Sequence, residues 1–110
     1  METGSFTAES SSEVREYTND AGTFSISIRV HSPGILHLTK RGYQRIEDVQ
    51  AEADLITYFV ETYFKDVVPC LCVDSSQLKG LSRQTRQLQN ESMKGMPFRA
   101  VAAYGLSLAV

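Results

Sequence analysis

The chain has 110 residues, of which 42% are hydrophobic and 22% are charged, and this composition is typical of a single soluble globular domain. The formal net charge of -2 argues against the basic footprint of a nucleic-acid-binding domain. No apolar segment approaches the roughly 20 residues that a transmembrane helix needs, and the first residues lack the basic and apolar regions of a signal peptide. Because Cys70 and Cys72 provide no disulfide framework, we predict a cytoplasmic protein.

Residues 1–22 are predicted to be a flexible tail because they are acidic and rich in serine. Their apolar anchors are Phe6, Val14 and Tyr17, which offer too little surface to offset the entropy lost on ordering. We therefore expect one folded domain over residues 23–110.

The domain is predicted to begin with an antiparallel hairpin. Apolar and polar residues alternate in the first strand, whose apolar positions are Phe24, Ile26, Ile28 and Val30. Pro33 and Gly34 then indicate a turn, and residues 35–39 indicate the second strand. Gly42 is expected to break the chain before the first helix.

A helix from about Arg45 to Phe64 gives the strongest pattern in the chain. Apolar residues recur at spacings of three and four, at Ile46, Val49, Ala53, Ile56, Val60 and Tyr63. The opposite face is expected to be solvated and carries Glu52, Asp54 and Glu61.

Three further elements complete the predicted fold. The run from Val67 to Val73 is continuously apolar, as in a parallel strand covered on both faces, and Asp74 is expected to end it. Ser82 precedes a predicted helix from Arg83 to about Lys94, and a last strand is predicted from Phe98 to Tyr104. The sequence thus predicts an α/β fold with a mixed sheet, in which an N-terminal β-hairpin is followed by α-β-α-β.

Several segments resemble small uncharacterised bacterial STAS-like proteins, which are related in fold to anti-anti-sigma factors and loosely to SEC14-type lipid-binding domains. The matching segments are PGILHL at 33–38, IEDV at 46–49, VPCLCVD at 68–74, LSRQTR at 81–86 and AVAAY at 100–104. The resemblance implies an α/β domain used for regulation or binding. STAS-like domains usually continue past the last of these strands with a helix, a strand and a helix, so the resemblance also implies a fold that is incomplete at its C-terminus.

The resemblance also implies a regulatory position. Anti-anti-sigma factors carry an Asp-Ser-Ser-Gly-Leu motif with a phosphorylatable serine at the start of a helix. The segment DSSQL at 74–78 is similar in letters, but aligning Asp74 with the family's strand-end acid places Ser82 and Arg83 at the switch position. A helix start with Ser82, Arg83 and Arg86 favours a phosphate or another anion, and the alternative is that Ser82 only caps the helix.

We predict a non-enzymatic regulatory or protein-interaction domain. Its partner would be recognised by the helix that contains Arg83 and Arg86 and by the Ser75–Ser82 loop, with contacts from Asp74, Ser75, Ser76 and Lys79. The alternative is a carrier of a small ligand or lipid, with a cleft between the long helix and the sheet lined by Phe59, Tyr63 and Tyr104. A large enclosed apolar cavity would favour the carrier, and a closely packed core with a basic surface would favour the interaction domain.

No catalytic residue, cofactor or metal site is predicted. Cys70 and Cys72 have neither the spacing of a redox motif nor the further ligands of a zinc site, so both are expected to be buried small hydrophobes. His31 and His37 have no carboxylate or nucleophile at a recognisable spacing. Nucleic acid is not an expected partner, because Phe98 is the only aromatic residue among the basic residues between positions 79 and 99.

The last residues lead to a prediction about assembly. The apolar pattern continues at Leu106, Leu108 and Val110 without a helix to cover it. One face of the last strand would then be bare, and exposed apolar patches drive association. We therefore predict a homodimer or a larger homo-oligomer.

Overall fold

A computed structural model describes residues 13–105, which form one five-stranded sheet and two helices. The strands are β1 (Val14–Thr18), β2 (Phe24–Ser32), β3 (Ile35–Gln44), β4 (Cys70–Leu81) and β5 (Ala100–Tyr104), and the helices are α1 (Ile46–Tyr63) and α2 (Arg83–Lys94). The strands lie in the order β1-β2-β3-β4-β5, with antiparallel pairing from β1 to β3 and parallel pairing from β3 to β5. The predicted α/β fold with a mixed sheet is therefore confirmed.

The predicted hairpin and both predicted helices are present, but β3 is longer than expected. Gly34 has a φ of 78° at the turn between β2 and β3, a value that favours glycine. Gly42 has a φ of 90°, and a Cβ at this position would lie 2.1 Å from the carbonyl oxygen of Thr23. The expected break at Gly42 is wrong, because pairing with β2 and β4 continues through this residue.

Part of the predicted tail is a strand of the sheet. β1 pairs antiparallel with β2, and its side chains reach α1. The guanidinium of Arg15 lies 3.9 Å from the centre of the Tyr58 ring, and the Tyr17 hydroxyl donates to Asp48 over 2.9 Å. The tail prediction is wrong for β1, because β2 and α1 supply the partners that this polar segment lacks on its own.

Two other predictions fall outside the residues that the structure describes. One concerns residues 1–12 of the predicted tail, and the other concerns the apolar pattern at Leu106, Leu108 and Val110. Neither α1 nor α2, the helices within residues 13–105, has the length and apolar character that crossing a membrane requires.

The hydrophobic core lies between α1 and one face of the sheet, the covered face, and α2 packs against α1. Its most buried members include Phe24, Ile26, Ile28, Leu36, Leu38, Ile56 and Phe59. Within β4, Leu71 and Val73 face this core, whereas Cys70 and Cys72 are half-buried on the other face. The expectation that this strand is covered on both faces, with both cysteines buried, is therefore wrong, because no described element covers the second face.

A buried polar network connects the sheet to both helices. The side chains of Lys40 and Glu52 are each 3% exposed and form an ion pair of 2.9 Å. Gln44 accepts from Lys40 over 3.0 Å and donates to Glu52 over 2.8 Å, and Gln89 of α2 donates to the second Glu52 oxygen over 2.8 Å. The expectation that Glu52 is solvated is wrong, because its carboxylate is the acceptor that these three side chains share.

A second buried carboxylate, Asp48, fastens β1 to the start of α1. It accepts hydrogen bonds from the Tyr17 hydroxyl over 2.9 Å, the Asn19 amide over 3.2 Å and the Arg45 backbone N–H over 2.8 Å. Burial raises the pKa of Asp48, but the hydrogen bonds from Arg45, Tyr17 and Asn19 outweigh it and hold the pKa below its usual value.

Candidate functional site

The three residues of the predicted carrier cleft do not come together. Phe59 is fully buried in the core, where its ring centre lies 5.4 Å from that of Tyr63. Tyr104 lies on the opposite face of the sheet, where its hydroxyl is 2.9 Å from Nε2 of His37. The cleft prediction is wrong because alternate residues of a strand face opposite sides, and position 104 faces away from α1.

Ser82 caps the N-terminus of α2. Its Oγ accepts from the backbone N–H of Thr85 over 3.1 Å and lies 2.9 Å from the Thr85 hydroxyl. The first turn of α2 contains no acidic residue, and Arg83 and Arg86 are both exposed. The predicted helix start is therefore confirmed, and it brings two arginines to the positive end of the helix dipole.

The segment predicted to be a loop from Ser75 to Ser82 is largely the second half of β4. It pairs with β3, whereas β5 accompanies β4 only as far as Asp74, the partner of Tyr104. The expectation that Asp74 ends the strand is wrong, because the long β3 continues to pair with this polar segment. Of the predicted partner-binding residues, Ser75 is buried, Asp74 is half-buried, and Ser76 and Lys79 are exposed.

A polar cluster crosses the second face of the sheet, which we call the open face. The Tyr104 hydroxyl and His37 share a hydrogen bond, and Asp74 lies on β4 between their two strands. Burial lowers the pKa of His37, and the positive charge of Arg29 lowers it further against the opposing effect of Asp74. Sequence reasoning missed the cluster because its members are distant in the chain and only the parallel register brings them together.

A groove of about 580 Å³ lies at one end of the open face, between the turn after β1 and the second half of β4. Its polar lining includes Thr18, Ser25, Arg41, Ser76, Gln77 and Lys79. Arg41 is absent from the predicted site residues because the second strand is predicted to end at residue 39. In the structure β3 continues to Gln44, and Arg41 pairs with β4. The volume is within the range of about 300 to 1,000 Å³ typical of small-molecule sites.

Positive charge is concentrated in the second half of the fold. Between positions 75 and 105, Glu91 is the only acidic residue, and it is opposed by Lys79, Arg83, Arg86, Lys94 and Arg99. All five basic side chains are exposed, and the ion pairs within residues 13–105 involve other residues. We call Lys79, Arg83 and Arg86, at the end of β4 and the start of α2, the basic surface.

Metal ligation is not indicated by the described part of the chain. Within residues 13–105, no group of three or more His, Cys, Asp or Glu side chains is arranged to hold a metal ion. Cys70 and Cys72 are free thiols on the open face, and Cys72 is the strand partner of His37.

No protein-family model matches this chain, and a comparison with curated proteins finds no significant match. The STAS-like resemblance therefore stays a prediction. The part of it that the structure shows is the α/β class, with a mixed sheet and a helix after each of β3 and β4.

Proposed function

We propose that this chain is a regulatory protein-interaction domain of STAS-like type, without enzymatic activity, that binds an acidic segment of a partner protein. The observation that carries the proposal is the basic surface, whose three exposed cations have no ion pair within residues 13–105. Unpaired cations beside the positive end of a helix attract carboxylates and speed their association. The proposal includes a bacterial cytoplasmic setting and self-association of the domain.

Ser82 is the regulatory position in this proposal. Its exposed side chain lies at the N-terminus of α2, immediately before Arg83 and one helical turn from Arg86. A phosphate on Ser82 would be stabilised by the helix terminus and these arginines. It would thereby neutralise the surface that attracts the acidic partner, so phosphorylation would weaken partner binding.

The packing of the described core supports partner binding over ligand carriage. Phe59 fills the centre of the core and is fully buried. The gap between α1 and α2, lined by residues that include Val49, Ile56 and Met93, is too small to admit a water molecule. A carrier needs enclosed space for its cargo, and this contact between the helices offers none.

Titration with an acidic probe peptide tests the proposal. A short peptide of glutamate and aspartate is added to the full ¹⁵N-labelled chain at low and at physiological salt, and amide shifts are followed by NMR. We expect shifts centred on residues 79–86, with binding that weakens as salt rises. Arg83→Glu and Arg86→Glu are each expected to weaken binding about tenfold, and Ser82→Asp is expected to weaken it less.

Lys65→Glu is the matched control, because it makes the same charge change at an exposed position just after α1. It is expected to leave the affinity within about twofold of wild type. Absence of binding at low salt, or an equal loss in Lys65→Glu and Arg86→Glu, would show that the basic surface does not recognise the peptide.

A further inference from the structure

We propose that the groove at the end of the open face binds one oxyanion group, a phosphate or a carboxylate, between Arg41 and Lys79. The groove shares Lys79 with the basic surface, but Arg83 and Arg86 do not line it. The inference therefore goes beyond the proposed function, and it adds a second, smaller binding site to the domain.

The register of the sheet brings the two cations to one place. Arg41 is the strand partner of Gln77, and Lys79 lies two residues further along the same strand. Neighbouring strands are about 4.8 Å apart, which allows the two long side chains to converge on a single anion. The Arg41 guanidinium is a planar fork of N–H donors that matches the oxygens of a phosphate or a carboxylate.

Both cations are available to a ligand. Arg41 and Lys79 are exposed, and neither takes part in the ion pairs formed within residues 13–105. Lys40, the neighbour of Arg41, already has Glu52 as its partner on the covered face. Of these two neighbouring cations, the buried Lys40 therefore has a counter-charge within residues 13–105, and the exposed Arg41 has none.

Backbone forms the inner wall of the groove beside Arg41. Gly42 has a φ of 90° and packs so closely on Thr23 that a Cβ would meet its carbonyl oxygen at 2.1 Å. Gly22, also on the groove wall, has a φ of 72° and open space where a side chain would project. The open space at Gly22 leaves this part of the wall without a side chain, so a ligand can approach the backbone there, whereas at Gly42 the Thr23 carbonyl already occupies the position of a Cβ.

The remaining polar lining suits an anion. Thr18, Ser25 and Ser76 contribute hydroxyl groups, and Gln77 contributes an amide, so neutral hydrogen-bond donors surround the two cations. No acidic side chain belongs to the described lining of the groove.

Asp74 lies on β4 outside the lining of the groove, close enough to Arg41 for their charges to interact. Its carboxylate accepts from the Ser76 backbone N–H over 2.9 Å. Hydrogen bonds from Ser76 lower the pKa of Asp74, and the positive charge of Arg41 lowers it further, so this carboxylate is ionised at neutral pH. It therefore competes with a bound anion for the charge of Arg41, and removing its charge should tighten anion binding.

Titration of the full chain with inorganic phosphate, and separately with succinate, tests the proposal by NMR. We expect saturable shifts at the amides of Gly42, Ser76, Gln77 and Lys79. Arg41→Gln is expected to weaken binding about tenfold, because it removes a charge-assisted hydrogen-bond donor.

Asp74→Asn is expected to strengthen binding several-fold. Arg29→Gln is the matched control, because Arg29 is exposed on the same sheet but does not line the groove.

Two results would overturn the proposal. One is the absence of saturable shifts with either anion at tens of millimolar, and the other is an equal loss of affinity in Arg29→Gln and Arg41→Gln.

A phosphoserine peptide then distinguishes the source of the anion. Tighter binding than free phosphate assigns the group to a partner protein, and equal binding assigns it to a free ion. Phosphate binding that survives Arg83→Glu separates this groove from the basic surface.

Discussion

Lys40 and Arg41 are neighbours in β3, but they lie on opposite faces of the sheet. The charge of Lys40 is buried, whereas the charge of Arg41 is exposed to solvent. Lys40 is buried and paired with Glu52, whose carboxylate also accepts from Gln44 and Gln89. Arg41 is exposed and has no ion pair within residues 13–105. A buried charge must find its partners within the fold, whereas an exposed one remains available to a ligand. The two faces of one strand thus separate a charge that is paired within the fold from a charge that is exposed to solvent, at which we propose that a ligand binds.

The largest expected effect comes from breaking the buried pair. Lys40→Met leaves the Glu52 carboxylate buried without its cation, and we expect the free energy of unfolding to fall by about 3–5 kcal/mol. Urea unfolding followed by circular dichroism measures this loss. Arg41→Met is the matched control in the next residue, and we expect it to change stability by less than about 0.5 kcal/mol.

Combining Lys40→Met with Glu52→Gln sharpens the same comparison. The double variant removes both charges and keeps one of the two side-chain oxygens that accept from Gln44 and Gln89, so it should recover part of the stability lost in Lys40→Met. An equal decrease in the free energy of unfolding in Lys40→Met and Arg41→Met would contradict the view that only the covered face uses its charge to stabilise the fold.

The next effect concerns Gly42, which follows Arg41 at the junction of the covered face and the groove. Gly42→Ala forces a Cβ against the Thr23 carbonyl at a φ of 90°, and we expect a loss of about 3 kcal/mol. Gly34→Ala is the control, because Gly34 has a φ of 78° but nothing within 4 Å of the added Cβ, and it should cost about 1 kcal/mol. Thermal unfolding of both variants measures the difference, and equal shifts in Tm would show that the contact with Thr23 is not limiting.

The smallest of the three effects is a pH dependence on the covered face. The folded-state pKa of Asp48 lies below its unfolded value of about 3.9, so its stabilising contribution is present above that pH and is lost as pH falls through the folded-state pKa. Asp48→Asn should reduce stability at neutral pH by about 1–3 kcal/mol and make acid unfolding less steep. Urea midpoints measured from neutral to acidic pH check both expectations.

Asp54→Asn serves as the control for Asp48→Asn, because Asp54 is an exposed carboxylate on the same helix. It should change stability at neutral pH by less than about 0.5 kcal/mol. An equally steep acid transition in Asp48→Asn and wild type would assign the acid sensitivity to other carboxylates.

Local patterns predicted the hairpin, α1 and the start of α2, because each of these elements shows its period or cap within a few residues. β1 and the second half of β4 were not predictable in the same way. Arg15 and Tyr17 of β1 find their partners on α1, and the polar segment after Asp74 is extended because β3 continues beside it. In both cases tertiary pairing overrides a weak local preference.

The candidate site shows the same limit. Ser82 was recognisable because a cap lies next to the helix that it serves. The groove beside Arg41 and the contact between His37 and Tyr104 depend on strands that are distant in the sequence. The burial of Glu52 was missed because a lone carboxylate on a helix indicates solvent unless its cation, here Lys40 on β3, is known.

The two kinds of strand pairing in the sheet also imply an order of assembly. Val30 and Leu36 pair across a tight turn, whereas Ile35 and Cys70 pair only after the chain has passed through the whole of α1. Closing the longer loop costs more conformational entropy, and this entropy is lost before the stabilising contacts of β4 can form. We therefore expect β2 and β3 to associate first and β4 to dock after α1 has folded against them. The groove beside Arg41 needs β4 in place and is therefore among the last features to form. A ligand of the groove would bind the completed sheet and not the early hairpin, and it would slow unfolding without speeding folding.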